Sequence, residues 1–153
     1  MNNFYEATNG EYYISTNNAL LDISCIHRYL SEESYWAKGI PFETVKKAVD
    51  NSLCFGIYHG EEQVGFGRLV TDKATFAYLA DVFVLPEHRG KRLSKWLMTV
   101  IHAHPELQGL RRWVLGTKDA HGLYKQFGWA PLTEDQVSRF MQIQVADIYL
   151  KKQ

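Results

Sequence analysis

The sequence predicts a mixed α/β (α+β) fold, in which a mostly antiparallel central sheet is flanked by helices. Two observations support this prediction. Strand-like segments follow one another with short turns between residues 53 and 85, which is typical of an antiparallel meander. The last of them leads directly into a glycine-bearing turn and an amphipathic helix, so helices are expected to cover the sheet. At 153 residues the chain is long enough for one domain with a sizeable core.

The first third of the chain predicts one strand and two helices. Residues 11–16 have the pattern of a short strand. Apolar side chains then recur at helical spacing over residues 20–30. A loop is expected at residues 31–40, and Pro41 suits the first turn of the second helix.

The middle of the chain predicts three consecutive strands, at residues 53–59, 63–71 and 75–85. The third is long and mostly apolar, which indicates a central position in the sheet. An amphipathic helix follows it and is expected to end near His104.

The last third predicts a strand at residues 111–116, a helix and a final strand. Asp119 is a suitable N-cap for the helix, and Gly128 suits the position just after its end. Residues 140–150 alternate between apolar and polar side chains, which predicts the final strand and a candidate interface for a homodimer. The expected order of elements is β-α-α-β-β-β-α-β-α-β.

The composition argues against several classes of protein. Lys and Arg together number 17, as do Asp and Glu, so the chain lacks the basic excess of a general nucleic-acid binder. The first residues have no apolar signal-peptide core, and no stretch is long enough to cross a membrane, which favours a cytoplasmic location. The two cysteines, Cys25 and Cys54, lack metal-ligand spacing, so no metal is expected.

The turn at residues 88–94 is the part of the sequence that points to chemistry. It reads His-Arg-Gly-Lys-Arg-Leu-Ser and stands between an apolar strand and a helix. Backbone N–H groups and the helix dipole at such a turn suit an anion, especially a pyrophosphate, and the basic side chains add charge. From the residues alone, an ordinary solvated basic turn is an equally good explanation.

Two motifs in this order resemble the GNAT N-acetyltransferase superfamily, and the resemblance covers nearly the whole chain. The first is Arg89-Gly90-Lys91-Arg92-Leu93-Ser94, in the frame Arg/Gln-x-x-Gly-x-Gly/Ala after an apolar strand. The second is Leu123-Tyr124-Lys125-Gln126-Phe127-Gly128-Trp129, which fits the pattern Leu-Tyr-x-x-x-Gly-aromatic. The resemblance implies a GNAT-like fold, with acetyl-CoA as cosubstrate.

The resemblance also implies the residues that hold acetyl-CoA. The strand would pair with the pantetheine arm and place an N–H near the thioester carbonyl, while the turn would hold the pyrophosphate. The residues expected on this basis are Val82, Phe83, Val84, Arg89, Gly90, Lys91, Arg92, Leu93 and Ser94.

The chain departs from the family pattern at Arg92 and Ser94, where the family has Gly and Gly or Ala. If the backbone at Arg92 has a positive φ, this side chain carries a steric cost that glycine avoids. If the backbone there is helical, Arg92 is harmless and adds charge near the phosphates. Retained CoA binding is expected, because the other donors are backbone N–H groups.

Tyr124 resembles the family's general acid, which gives a proton to the departing CoA thiolate. From the residues alone, it is also a core aromatic on the inner face of its helix. Asp81 is the candidate base, because an alkyl amine is mostly protonated at neutral pH and must lose a proton before it attacks. Asp81 would act as the base alone or through water, or would only bind the amine by its charge. The alternative is a structural role, in which Asp81 bonds to the backbone of a loop. His121 is a second candidate base.

The acceptor side is assigned to the loop at residues 31–40, which by analogy would lie over the acceptor site. The expected substrate-binding residues are Glu33, Tyr35 and Trp36. Acidic and aromatic groups together favour a cationic amine. A solvated acidic helix end, followed by a Trp that packs on the core, explains the same residues.

The expected function is therefore transfer of an acetyl group from acetyl-CoA to a small-molecule amine or a protein amino group. Direct attack in a ternary complex is expected, because no cysteine lies in either motif to carry the acyl group. The alternatives are a non-catalytic acyl-CoA sensor or degenerate homologue, and a protein-interaction domain whose basic turn binds an acidic partner.

Overall fold

A computed structural model describes residues 3–150, and its strands form one six-stranded sheet in the order of the sequence. The strands are β1 (Glu6–Asn9), β2 (Tyr12–Ser15), β3 (Leu53–His59), β4 (Glu62–Thr71), β5 (Phe76–Val84) and β6 (Arg112–Leu115). The α-helices are α1 (Ile23–Arg28), α2 (Phe42–Asp50), α3 (Leu93–Ala103), α4 (His121–Lys125) and α5 (Glu134–Arg139).

The pairing of the strands confirms the predicted mixed sheet. Neighbouring strands from β1 to β5 are antiparallel. The last pair, β5 and β6, is parallel. A parallel pair needs a long crossover, and α3 supplies it.

Helices cover both faces of the sheet. The core on the α3 face includes Ile14, Phe55, Ile57, Leu69, Leu97 and Ile101. The core on the α1 and α2 face includes Ile26, Leu30, Val45, Val49, Cys54 and Phe66. Successive side chains of a strand point to opposite faces. Cys54 and Phe55 of β3 therefore belong to different cores, which is why this strand is apolar throughout.

The structure corrects the prediction near the start of the chain. The strand expected at residues 11–16 is the second arm of a β1–β2 hairpin, whose turn contains Gly10 with a φ of +60°. The helix expected at residues 20–30 ends in a π-helical turn, Tyr29–Glu33, so the loop begins only at Ser34.

The final strand expected at residues 140–150 is wrong. This segment pairs with no strand in the described part of the chain, and it follows the unpredicted helix α5, which Thr133 caps in a capping box. Phe140 packs over the Arg112 guanidinium, with 4.6 Å between ring centroid and Cζ, instead of pairing with the β6 backbone. The apolar alternation here leaves Met141 and Ile143 96% and 99% exposed. We refer to residues 140–150 as the C-terminal segment.

His102, near the end of α3, lies among aromatic side chains of β6 and of the chain that follows α4. Trp129 Nε1 donates a hydrogen bond to His102 Nε2 at 3.0 Å. The rings of Trp113 and Phe127 lie 4.6 and 5.9 Å from the imidazole. Burial lowers the pKa of His102. Protonation of His102 would also place its Nε2–H group against the Nε1–H group of Trp129. The neutral imidazole is therefore the form that fits.

Acid should therefore destabilise the fold through His102. Because the folded pKa lies below the unfolded one, the unfolded chain takes up this proton first as the pH falls through about 6.5. The free energy of unfolding should then fall by up to about 1.4 kcal/mol per pH unit, until folded His102 is itself protonated. We expect His102→Gln, which does not titrate and retains an acceptor oxygen for Trp129, to lessen this loss in urea unfolding at falling pH.

The matched control is His121→Gln, which makes the same substitution at an exposed histidine outside this aromatic cluster. Some loss should remain in His102→Gln, because burial also lowers the pKa of His104. An acid loss of the same size in His102→Gln and the wild type would contradict this account.

Candidate active site

The site begins at a β-bulge in β5. Asp81 has a left-handed φ of +58°. The pairing with β4 shifts there, from Phe66 opposite Phe83 to Arg68 opposite Ala80. A left-handed backbone costs a non-glycine residue about 1–2 kcal/mol, so its surroundings must hold Asp81 in place.

Two side chains bind the Asp81 carboxylate. Arg68 Nε donates to Asp81 Oδ2 at 2.8 Å, and Trp36 Nε1 donates to Asp81 Oδ1 at 2.9 Å. Arg68 Nη1 also donates to Ser52 Oγ at 3.1 Å. One carboxylate thus connects β4, β5 and the loop after the π-helical turn, which fixes the strained backbone.

Near the bulge, β5 separates from β6. Their parallel pairing begins at Phe76 and ends where Leu79 lies opposite Leu115. Residues 80–84 keep β4 on one side, while their other edge has no strand partner within residues 3–150. An unpaired strand edge can bind an extended ligand through its backbone groups. The residues predicted to contact pantetheine, at positions 82–84, lie on this free edge.

The separation of the strands opens a cleft of about 630 Å³. Its wall contains Tyr124, Asp81, Tyr35 and Trp36, which are four of the five residues predicted for catalysis and acceptor binding. Glu33 is the exception, because it is exposed at the end of the π-helical turn and is not part of the wall. His121, the second candidate base, is likewise exposed and outside the wall.

Tyr35 and Trp36 form a roof over the cleft. The Tyr35 hydroxyl accepts a hydrogen bond from the Lys118 backbone N–H, between β6 and α4, at 2.8 Å. Trp36 is hydrogen-bonded to Asp81 of β5, on the other side of the cleft. The two roof rings meet edge to face, 5.0 Å apart. The roof therefore connects β5 with the chain that follows β6, across the cleft that separates them.

Tyr124 is 8% exposed, and its ring lies 6.0 Å from that of Trp129. No hydrogen bond within the described residues uses its hydroxyl. Burial, together with nearby Tyr35 and Asp119, raises the pKa of Tyr124. A phenol with a raised pKa keeps its proton at neutral pH, so it is available to protonate a departing thiolate.

The turn between β5 and α3 presents a row of unpaired backbone donors. The N–H groups of residues 90–94 donate to no acceptor in the described chain. Positive φ angles of +80° at Gly90 and +60° at Arg92 shape this turn. The turn and the start of α3 line a groove of about 220 Å³. Free N–H groups at a helix N-terminus suit an anion such as a diphosphate.

The side chains of Arg89 and Lys91 bind the protein itself. Arg89 donates to the Val84 carbonyl at 2.9 Å and to the Tyr29 hydroxyl at 3.0 Å. Lys91 Nζ donates to the Tyr12 hydroxyl at 3.1 Å. These bonds position the turn, and the anion-binding groups are mainly its backbone N–H groups.

The two cysteines offer no nucleophile to the cleft. Both are buried, and neither lines the cleft. Burial raises the pKa of the Cys25 thiol. It also raises the pKa of Cys54, to about 12. A thiol that stays protonated is a poor nucleophile. Among residues 3–150 no cluster of His, Cys, Asp or Glu could hold a metal ion, and no helix has the length and apolarity needed to cross a membrane.

A comparison with protein families identifies the fold. Residues 50–131 match the model described as an acetyltransferase (GNAT) domain, a span that includes the bulge, the turn and Tyr124. The chain belongs to the GNAT acetyltransferases. The predicted family and fold class are thereby confirmed, and acetyl transfer is the general activity of this family.

Similar proteins support the GNAT assignment. A protein of Gibberella zeae, named as an acetyltransferase, is 35% identical over 139 residues, which cover 76% of this chain and 77% of its own. A crystal structure of a GNAT-family protein from Xanthomonas campestris pv. campestris is 52% identical, with a TM-score of 0.87, and covers 92% of this chain and 97% of that one.

A more distant GNAT acetyltransferase, from Elizabethkingia anophelis, was solved with acetyl-CoA bound. It has a TM-score of 0.57 at 13% identity and covers 78% of this chain and 76% of that one. At this identity the likeness shows a shared fold.

The prediction from sequence missed several residues of the GNAT site. Arg68 and its anchor Ser52 were not identified, nor were Gln144 and Tyr149 of the C-terminal segment, which also line the cleft. Arg68 carries a recognisable signal, because it is a charge in the interior of a mostly apolar strand, next to the strand that carries Asp81.

Two substitutions test the strained backbone at Arg92. We expect Arg92→Gly to have a free energy of unfolding about 1 kcal/mol above that of Arg92→Ala, because both remove the guanidinium but only glycine relieves the φ strain. Urea unfolding of the ligand-free proteins measures this difference. Acetyl-CoA should raise the Tm of both variants, since the backbone donors remain. An alanine variant at least as stable as the glycine variant would mean that residue 92 is not strained.

Proposed function

We propose that the protein is an acetyl-CoA-dependent N-acetyltransferase, which transfers the acetyl group to an amine by direct attack in a ternary complex. The observation that carries this proposal is the free edge of β5. It connects the cleft, whose wall contains Val82, with the groove at the turn, whose wall contains Val84. An extended thioester with a diphosphate at its far end has the chemistry that this arrangement requires.

The residues present fit acetyl-CoA. The free N–H groups of residues 90–94, with Arg92 beside them, would hold the diphosphate. The backbone of Phe83 and Val84 would pair with the pantetheine arm. The acetyl end would then lie in the cleft beside Val82. Bound acetyl-CoA supplies an activated acetyl thioester there.

Three groups of this chain would act on the reaction. A backbone N–H at Val82 would stabilise the charge that develops on the carbonyl oxygen, a contribution typically worth about 3 kcal/mol. Asp81 would hold the amine and receive its surplus proton, directly or through water. Tyr124 would protonate the leaving sulfur. The C–N bond forms as the C–S bond breaks. The ammonium group loses two protons in all. The one taken by Asp81 before attack passes to solvent, and the one lost from nitrogen after attack balances, through solvent, the proton that Tyr124 gives to sulfur.

Replacing Tyr124 tests this assignment. We expect Tyr124→Phe to lower kcat about 100-fold, because the ring still packs on Trp129 but the phenolic proton is gone. The KM for acetyl-CoA should stay nearly unchanged. Release of free thiol from acetyl-CoA across a panel of amines measures both constants. The matched control is Tyr78→Phe, which removes a hydroxyl from the same cleft wall and should retain most of the activity.

The same assay separates the competing functions. An acyl-CoA sensor would show a Tm raised by acetyl-CoA, without thiol release for any amine. A protein-interaction domain would show neither effect. An unchanged kcat in Tyr124→Phe would reject the acid role while leaving acetyl transfer intact.

We propose in addition that a second copy of this chain covers the C-terminal segment. Its large apolar side chains Met141 and Ile143 are almost fully exposed, and Phe140 packs on Arg112 of the edge strand β6. Exposed apolar side chains that lie close together are typical of an interaction surface. A homodimer with two-fold symmetry would bring two such segments together.

The mass of the protein in solution tests the homodimer. We expect light scattering to give the mass of a dimer for the wild type and that of a monomer for Ile143→Asp, because a buried carboxylate would oppose association. Val70→Asp changes an exposed apolar residue elsewhere and should remain dimeric. A monomeric wild type at the highest concentration measured would contradict the proposal.

A further inference from the structure

The ion pair between Arg68 and Asp81 is shielded from solvent. The side chain of Arg68 is 18% exposed and that of Asp81 is 11% exposed. In every other ion pair recorded for residues 3–150, both side chains are at least 40% exposed. Burial of charge is costly and contributes little net stability. A shielded pair in the wall of a binding cleft therefore calls for a functional explanation.

Both members of the pair retain hydrogen-bonding capacity. Arg68 uses one N–H at Nε and one at Nη1, which leaves three of the five guanidinium N–H groups. Each Asp81 oxygen accepts one bond, from Trp36 or from Arg68, and can accept another. The cleft thus presents a cation and an anion side by side, each able to bind one more group.

The other charges of the cleft contribute less. Lys118 and Asp119 line the cleft but are exposed, so solvent screens them. Glu33, the acidic residue that favoured a purely cationic amine, lies outside the wall. The pocket therefore has no shielded excess of negative charge, and an acceptor with only a positive charge would leave Arg68 without a partner.

A zwitterion complements the pair. An ammonium group would bind Asp81, and a carboxylate on the same molecule would bind the free N–H groups of Arg68. Since Val82 directly follows Asp81, this places the acceptor nitrogen beside the position proposed for the thioester. A buried donor left without its partner is costly, so an acceptor that lacks the carboxylate should bind much more weakly.

The rest of the cleft favours an apolar side chain on this zwitterion. One wall is mostly apolar and comes from α1, α2 and the π-helical turn. Its apolar members are Ile26, Leu30, Val45, Ala48 and Val49, and Thr44 of α2 is polar. The cleft volume of about 630 Å³ accommodates a small molecule beside an acetyl group, and it lies within the usual range for small-ligand sites.

We infer that the acceptor is a free α-amino acid with an apolar side chain, bound by Arg68 through its carboxylate and by Asp81 through its amino group. This inference rests on the proposed acetyl transfer and makes its acceptor specific. It makes Arg68 a specificity-determining residue. It also disfavours lysine side chains and protein N-termini, which carry no carboxylate next to the amine.

A matched panel of acceptors tests the inference. L-leucine, L-leucinamide, 3-methylbutylamine and a lysine-containing peptide are each supplied with acetyl-CoA, and thiol release is followed. We expect kcat/KM for L-leucine to exceed that for each of the others by about 100-fold or more, because only the amino acid satisfies both charges. An amide, amine or peptide that reacts as well as L-leucine would overturn the inference.

Variants identify the cation responsible. Arg68→Gln, which keeps an amide donor, should lower kcat/KM for both L-leucine and 3-methylbutylamine, because the bulge loses its bond to Arg68. The preference for L-leucine over 3-methylbutylamine should fall about 100-fold. Lys118→Gln removes the rim cation and should preserve the preference for L-leucine. If Lys118→Gln loses this preference and Arg68→Gln keeps it, Lys118 binds the carboxylate of the acceptor. That result would overturn the role of Arg68.

A binding measurement separates this inference from the proposed function. Calorimetry of L-leucine and L-leucinamide is carried out on protein saturated with desulfo-CoA. If no acceptor releases thiol but L-leucine alone binds, the recognition of an amino acid by Arg68 and Asp81 stands, whereas the acetyl transfer fails. If thiol is released from amines without any preference for the carboxylate, the acetyl transfer stands and the inference fails. If nothing reacts and L-leucine does not bind, both fail.

Discussion

The site depends on one interaction, the bond of Arg68 to Asp81 across the bulge in β5. A left-handed residue costs about 1–2 kcal/mol. Loss of one partner from a shielded ion pair typically costs about 3–5 kcal/mol, because the other charge is left buried without a partner. Movement of Asp81 away from Arg68 would therefore cost more than the backbone strain that it relieves. Trp36 adds a bond to the same carboxylate. The bulge stands where β5 separates from β6, and the cleft, its roof and the free strand edge all meet at this point.

The phosphate end of the site follows a different physical rule. Arg89 and Lys91 are bonded to the protein, whereas the backbone N–H groups of the turn are free. An anion site made of backbone donors is insensitive to the identity of the side chains that carry them. This explains how Arg92 can replace the family's glycine: the substitution strains the backbone, with a φ of +60°, and leaves the donors in place.

Much of this arrangement is predictable from local patterns. The meander, the basic turn and Tyr124 all follow from short stretches of sequence. The positive φ at Asp81 does not, because it depends on a bond to another strand. The C-terminal segment was predicted as a strand because its side chains alternate, but alternation describes side chains and does not supply a backbone partner. Glu33 was placed at the site for its charge, although the π-helical turn directs it to solvent.

A crystal structure of the protein with CoA tests the central claim most directly. The account predicts that the pantetheine amides bond to the backbone at residues 82–84 and that the diphosphate lies on the N–H groups of residues 90–94. Asp81 should keep its left-handed φ and its bond to Arg68. A nucleotide bound elsewhere on the sheet, or an extended Asp81 no longer bonded to Arg68 in the complex, would contradict it.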